Sequence, residues 1–216
     1  MNRVRRGTPS GDAYLDLQNE ARRAGRSTQE LLQLYVLEGF LARLAASDVR
    51  ESFVLTGGVL LAAFGSRRPT KDVDLAGIDV ANDTATVLEM VRAVLVVEPP
   101  VKDGIKFVAE TATTEIIREE DDYSGVRVHV EAHLAKAKLP FHIDVNLGDP
   151  IWPAPATVSL PRLRGGEPIE LQVIRCTWST PRRSSPQSSA ARRTPGGVTS
   201  GTSGPCRASI RSTPTT

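Results

Sequence analysis

The chain has 216 residues, of which 40% are hydrophobic and 24% are charged. These proportions are typical of a soluble protein, and the length suffices for one ordinary domain with an appendage. No apolar run approaches the roughly 20 residues that span a membrane, and the basic N-terminus lacks the apolar stretch of a signal peptide. Only two cysteines occur, Cys176 and Cys206, which argues against a disulfide framework or zinc site and fits a reducing cytoplasm.

The net charge of +2 conceals a difference between the two parts of the chain. Residues 175–216 contain seven arginines and no Asp, Glu or Lys, so they carry +7. The other 20 basic and all 25 acidic side chains lie before residue 175, and that part carries −5. We therefore expect a disordered N-terminus over 1–12, an acidic domain over 13–174, and a basic low-complexity tail over 175–216 that is disordered.

Two helices are predicted at the start of the domain. Helical spacing of small apolar residues predicts a first helix over 13–24, which Gly25 ends. Ser27 and Glu30 form a capping-box pattern, after which apolar residues recur at helical spacing through Ala46. This second helix is expected to pack one apolar face against a sheet.

The stretch 53–75 has the pattern that organises the chain. An apolar run of strand length is followed by Gly57 and Gly58, and then by a small apolar segment of about two helical turns. A glycine pair before a helix lets backbone N–H groups approach a phosphate. Asp72 and Asp74 alternate with apolar residues, so a strand places both carboxylates on one face, where they can hold a divalent cation. These features together predict a site for a metal-bound nucleoside triphosphate.

A basic loop precedes the two aspartates and holds Arg67, Arg68 and Lys71. Such side chains can pair with phosphate oxygens, although loop charges often serve only solubility. We favour Arg68 for this role and keep Lys71 as a further candidate.

The rest of the domain is predicted to form one helix and several strands. Asn82 or Asp83 can cap a helix that continues to about residue 95, before Pro99 and Pro100. His129, Glu131 and His133 share one strand face and could form a metal site, but a solvated strand face has the same pattern and is favoured. The strands are predicted at 105–109, 114–118, 126–134, 141–147 and 169–171, with an acidic turn at 119–125 and another turn at Gly165-Gly166.

The core pattern resembles that of the polymerase-β-like nucleotidyltransferases: a hydrophobic strand, a glycine pair, and Asp-x-Asp between apolar residues. The spacing Arg68-x-Thr70-x-Asp72-x-Asp74 resembles the AbiEii branch, the toxins of AbiE and MenT toxin–antitoxin systems. One departure is Thr56, where that branch often carries Lys. The resemblance covers about residues 13–174.

The resemblance implies an α/β fold of the minimal nucleotidyltransferase kind, with a mixed sheet of about five strands flanked by helices. It implies a third carboxylate on a strand beside Asp72 and Asp74, and Asp144 is the good candidate. These three residues would be catalytic and would hold Mg²⁺, while Gly57 and Gly58 would seat the triphosphate. The implied activity is transfer of nucleotides from an NTP to RNA, typically tRNA, by a toxin with a cognate antitoxin.

Two other functions stay open. The same fold could use a small-molecule acceptor such as an aminoglycoside. The chain could also be a truncated, inactive pseudo-enzyme, because members of this branch continue with helices bearing a Glu-Lys pair and an Arg-Asp pair. Residues 175–216 offer no counterpart to those pairs.

The tail itself has two explanations. Seven arginines could form an RNA-binding arm, or the tail could be an out-of-frame translation of a GC-rich gene. We favour the second, because an RNA-binding arm usually mixes Lys with Arg and offers several aromatic side chains for stacking.

Overall fold

Three α-helices and eight strands are the main elements of the part of the chain that the computed structural model describes, residues 4–56, 70–118, 124–148 and 151–174. The predictions for the segment 57–69, for residues 119–123 of the acidic turn, and for the tail lie outside the described residues. The helices are α1 (Pro9–Ala24), α2 (Thr28–Ala46) and α3 (Thr84–Leu95). The strands are β1 (Phe53–Leu55), β2 (Asp72–Gly77), β3 (Ile105–Phe107), β4 (Thr113–Arg118), β5 (Ser124–Leu134), β6 (Ala137–Asn146), β7 (Ala156–Leu160) and β8 (Ile169–Val173).

The strands form a single mixed sheet in the order β3-β5-β6-β2-β1-β8-β7, with β4 also paired to β5. β2 runs parallel to β6, and β1 runs parallel to β8, while the other pairs are antiparallel. The predicted α/β fold with a mixed sheet and flanking helices is therefore confirmed. The expected number of about five strands is too low. The described residues hold eight, of which β7 was not predicted at all.

Helix α1 begins at Pro9, inside the segment 1–12 that was expected to be disordered. The cause is a local cap: the Thr8 hydroxyl accepts a hydrogen bond from the Gly11 N–H at 3.1 Å. Proline suits the first helical position because its missing N–H would have no helical partner there. The end at Gly25 is as predicted, with a left-handed φ of 63° that glycine adopts readily.

Helix α2 ends at Ala46 as predicted, but its N-terminus and its packing differ from the prediction. Ser27 makes no side-chain capping bond, and the Glu30 carboxylate accepts hydrogen bonds from Arg26, so the predicted capping box does not form. Every residue from Leu31 to Leu44 is buried, so the helix does not merely rest one face on the sheet. It contacts α1, α3, β6 and β8, which surround it.

Burial on all sides forces the polar side chains of α2 to find partners inside the protein. The Arg43 guanidinium donates to Asp103 Oδ2 at 2.6 Å and to the Gly39 carbonyl at 2.9 Å. Glu38 Oε2 accepts a hydrogen bond from the Leu163 N–H at 2.7 Å. These contacts fasten the loops before β3 and after β7 to the central helix.

The two faces of the sheet differ in character. Val73 and Leu75 of β2 and Ile143 and Val145 of β6 are fully buried in one core with the three helices. The alternate residues of the same strands point the other way, and Asp72, Asp74, His142 and Asp144 among them are half-buried. This second face carries the polar residues described next.

Candidate active site

The parallel pairing of β2 with β6 brings the predicted carboxylates together. Asp74 lies directly opposite Asp144, and Asp72 lies opposite His142. Neighbouring strands are about 4.8 Å apart, and residues two apart on a strand share a face. The structure therefore places Asp72, Asp74 and Asp144 on the same half-buried face of adjacent strands.

Strand β5 continues this face on the far side of β6. Arg127 lies opposite Asp144, and its guanidinium binds that carboxylate through both oxygens. Nε donates to Oδ1 at 2.7 Å and Nη2 donates to Oδ2 at 2.6 Å, a bidentate arrangement. The sequence analysis gave Arg127 no role. The signal that assigns its partner is strand register, which the residue pattern does not contain.

The carboxylates influence one another electrostatically. Burial raises the pKa of Asp74, and the nearby Asp144 and Asp72 raise it further, while Arg127 opposes them. A carboxyl group that is harder to ionise beside two others marks a cluster of negative charge. Such a cluster is stabilised by a bound cation.

His142 is a second residue to which the sequence analysis gave no role. Its Nδ1 is buried and finds no hydrogen-bond partner in the described part of the chain. Its ring packs edge-on against His129, with 4.6 Å between the ring centres. Burial lowers the pKa of His142, and the neighbouring His129 lowers it further, against the opposing effect of Asp72 and Asp144. His142 thus borders the carboxylates as a neutral ring near pH 7.

The alternative metal site on β5 does not form a single cluster. His129 Nε2 lies 3.1 Å from Glu115 of β4, whereas His133 Nε2 lies 2.6 Å from Glu131. Lys138 also pairs with Glu131, at 3.2 Å. The favoured interpretation, a solvated polar face, agrees with these separate surface pairs.

Local hydrogen bonds fix the start of β2. The buried Thr70 hydroxyl accepts from the Asp72 N–H at 3.1 Å, and the Lys71 carbonyl accepts from the His142 N–H at 3.0 Å. The Thr56 N–H donates to the Asp74 carbonyl at 2.8 Å. Hydrogen bonds thus hold the backbone of β2 at both aspartates, through the Asp72 N–H and the Asp74 carbonyl. The Lys71 side chain is exposed at the entry to this strand.

Gly57, Gly58, Arg67 and Arg68 lie outside the described residues, so their roles remain predictions. The chain leaves β1 at Leu55 and re-enters the described structure at Thr70, beside the aspartates.

The carboxylates suit Mg²⁺ by their chemistry, because that ion prefers oxygen ligands and commonly uses one or two carboxylates. Within the described ranges, no group of three or more His, Cys, Asp or Glu side chains is already arranged to hold a metal ion. The bidentate contact from Arg127 to Asp144 is consistent with that finding. Asp72, Asp74 and Asp144 are the residues that would hold the ion.

Comparison with known proteins bears on the identity of this site. Residues 39–177 match the sequence profile of a family described as the nucleotidyl transferase AbiEii toxin of a type IV toxin–antitoxin system. The chain belongs to this family. The AbiEii match spans more than half of the chain and includes β1, β2 and β6, and therefore all three carboxylates. The resemblance stated from the sequence is confirmed.

Two crystal structures from Helicobacter pylori are similar to this AbiEii chain. One is of a protein described as a candidate nucleotidyltransferase, at 17% identity and a TM-score of 0.41, and the other is of JHP933, at 16% and 0.40. Each alignment covers 69% of this chain, but the chain spans only 55% and 53% of the two proteins. No curated protein matches the sequence. In the described part of the chain, no helix is both long and apolar enough to cross a membrane.

Proposed function

We propose that this AbiEii-family chain transfers a nucleotide from an NTP to RNA, with tRNA as the first acceptor to test. The observation that carries the proposal is the register of Asp74 with Asp144, which adds a third carboxylate to the Asp72 and Asp74 pair. Three carboxylates on one sheet face supply the oxygen ligands that divalent-metal phosphoryl chemistry uses. Family membership supports the reaction class.

In this reaction an acceptor hydroxyl oxygen forms a bond to the α-phosphorus, and the bond from that phosphorus to the bridging oxygen breaks, releasing pyrophosphate. Mg²⁺, when bound by Asp72, Asp74 and Asp144, would neutralise negative charge on the triphosphate. Asp144, once free of Arg127, can accept the proton of the attacking hydroxyl. The strand pair β2–β6 would position the reacting groups and so contribute further to the rate acceleration.

The triphosphate would be seated by the segment between β1 and β2. Gly57 and Gly58 would offer backbone N–H groups, and Arg68 and Lys71 would pair with phosphate oxygens. As members of the family are toxins of toxin–antitoxin systems, we also propose that a cognate antitoxin opposes the activity in the cytoplasm.

The test is transfer of label from each of the four α-labelled NTPs to purified tRNA in the presence of Mg²⁺. We expect transfer by the native chain, and a loss of at least about 100-fold in Asp72→Asn and Asp74→Asn, because each removes a charged ligand. Glu89→Gln, which changes an exposed carboxylate on α3, is the matched control and should retain activity. Transfer to an aminoglycoside but not to RNA would replace the proposed acceptor.

A second candidate function follows from the composition of residues 175–216, which offer no Lys, Asp or Glu. If the reaction needs such groups, the chain binds nucleotide without turnover. Calorimetry with Mg²⁺ and each NTP distinguishes the two functions. Binding that requires Asp72 and Asp74, with no transfer to any acceptor, would identify the pseudo-enzyme.

A further inference from the structure

We propose that Arg127 is a built-in counter-cation of the carboxylate cluster. It holds Asp144 in the metal-free chain and must release that carboxylate before a divalent cation can bind there at full strength. The inference rests on the proposed function, since it concerns the same three carboxylates, and it adds an element of control to the site.

The contact geometry is the first argument. Arg127 uses two N–H groups on the two oxygens of Asp144, at 2.7 and 2.6 Å, so neither oxygen is left without a charged partner. The Asp144 side chain is 14% exposed and that of Arg127 is 35% exposed. The guanidinium side chain is therefore more accessible to solvent than the carboxylate that it binds.

The surrounding charges are the second argument. Asp144 pairs with Arg127 of β5 on one side and with Asp74 of β2 on the other, so the guanidinium lies on the same sheet face as the carboxylate cluster. One guanidinium thus partly neutralises the cluster at the place where a metal ion would do so. Two cations at one carboxylate repel each other, so the two compete.

A purely structural role for this ion pair is poorly supported by the strand pairing. β5 and β6 are already joined in continuous antiparallel register from Gly125 to Leu134 on one side and from Asn146 to Ala137 on the other. A partly exposed ion pair adds little to such a hairpin. The bidentate contact is better explained by the charge it offsets.

The experiment measures Mg²⁺ binding to the nucleotide-free chain by isothermal titration calorimetry. Because it removes the competing charge, we expect Arg127→Gln to bind Mg²⁺ about tenfold more tightly than the native chain. Lys138→Gln is the matched control, since it removes one positive charge from the same strand pair but beside Glu131, away from the carboxylates. It should leave the affinity unchanged.

Two further variants separate charge from geometry. Arg127→Lys keeps the charge but not the fork, so its affinity should lie between those of the native chain and Arg127→Gln. In an Asp144→Asn background, Arg127→Gln should have a much smaller effect, because the carboxylate for which the two cations compete is absent. Circular dichroism and thermal unfolding check that each variant is folded. If Arg127→Gln does not fold, Arg127→Lys tests the inference in its place.

Equal or weaker Mg²⁺ binding by Arg127→Gln would overturn the inference and would make Arg127 a residue that orients Asp144. In that case, if Mg²⁺ binding by the native chain still depends on Asp72 and Asp74, the proposed function is retained. No Mg²⁺ binding by any variant, with or without NTP, would overturn both.

Discussion

Glu38 shows how the central position of α2 acts on a single side chain. It is 2% exposed, and burial raises the pKa of its carboxyl group. The Leu163 N–H and the Arg162 guanidinium, 3.9 Å away, favour the ionised form but do not outweigh burial. Asp103 raises the pKa further, and Arg164 opposes it. Ionisation of Glu38 is therefore less favourable in the folded chain than in the unfolded chain.

This shift predicts a pH dependence with a definite sign. A carboxyl whose pKa is raised by folding stabilises the fold while protonated, and that contribution is lost as pH rises through the folded pKa. Glu38→Gln keeps an acceptor for Leu163 but cannot ionise. We expect the variant and the native chain to be equally stable near pH 4. Towards pH 7 the variant should become progressively more stable than the native chain.

Urea unfolding at several pH values measures this difference, with Glu89→Gln as a control for the loss of an exposed carboxylate. If the variant instead lost stability relative to the native chain as pH rises, the effect of Arg162 on the Glu38 carboxylate would outweigh that of burial.

The individual site residues differ in how far the sequence could predict them. The alternation of Asp72 and Asp74 with apolar residues fixes their common face without knowledge of the fold. Asp144 needed a resemblance as well, because one Asp on a polar strand face has no distinctive pattern. Arg127 depends on the pairing of β5 with β6, and strand register is set by contacts distant in sequence.

Among the elements, α2 relies on one buried ion pair to hold its neighbouring loop. Arg43 and Asp103 are 5% and 12% exposed, and Arg43 also stacks over the Phe107 ring at 4.7 Å. Asp103 additionally accepts a hydrogen bond from the Ile105 N–H, at the start of β3. The pair thus joins the helix to the edge of the sheet.

Removal of one partner should be costly, because it leaves a buried charge without compensation. We expect Asp103→Ala to lower the unfolding free energy by about 3–5 kcal/mol. Glu20→Ala, which breaks an exposed pair with Arg23 on α1, should cost less than about 1 kcal/mol. Chemical denaturation measures both, and equal losses would show that the buried pair contributes no more than a surface pair.

The helices were predictable at this scale because their apolar residues recur over several turns. The start of α3 at Thr84 follows from Asp83, whose carboxylate accepts hydrogen bonds from two backbone N–H groups. β7 was missed because Ala156–Leu160 is short, lies among prolines and pairs only with β8. All-round burial of α2 was also missed, because it depends on the elements that surround the helix.

At the scale of the whole chain, the described structure and the tail differ in composition, and the family match ends at residue 177, close to that change. The tail composition predicts little burial, so deletion of 175–216 should change the melting temperature by less than about 2 °C. Deletion of 169–216 also removes β8, whose Ile169, Leu171 and Val173 are buried, and should prevent folding.

Thermal unfolding of the two shortened chains provides the comparison. A fall of more than about 5 °C on deletion of 175–216 would show that the tail contributes to the fold, and that its composition is a poor guide to its role.

The parallel pairing of β1 with β8 has a consequence for the timing of folding. β1 meets β2 soon after it is synthesised, but its other neighbour arrives only when Val173 emerges, opposite Leu55. Contacts so distant in sequence form slowly, and an unpaired strand edge attracts other chains meanwhile. A nascent chain would therefore expose the middle of its sheet for most of its translation.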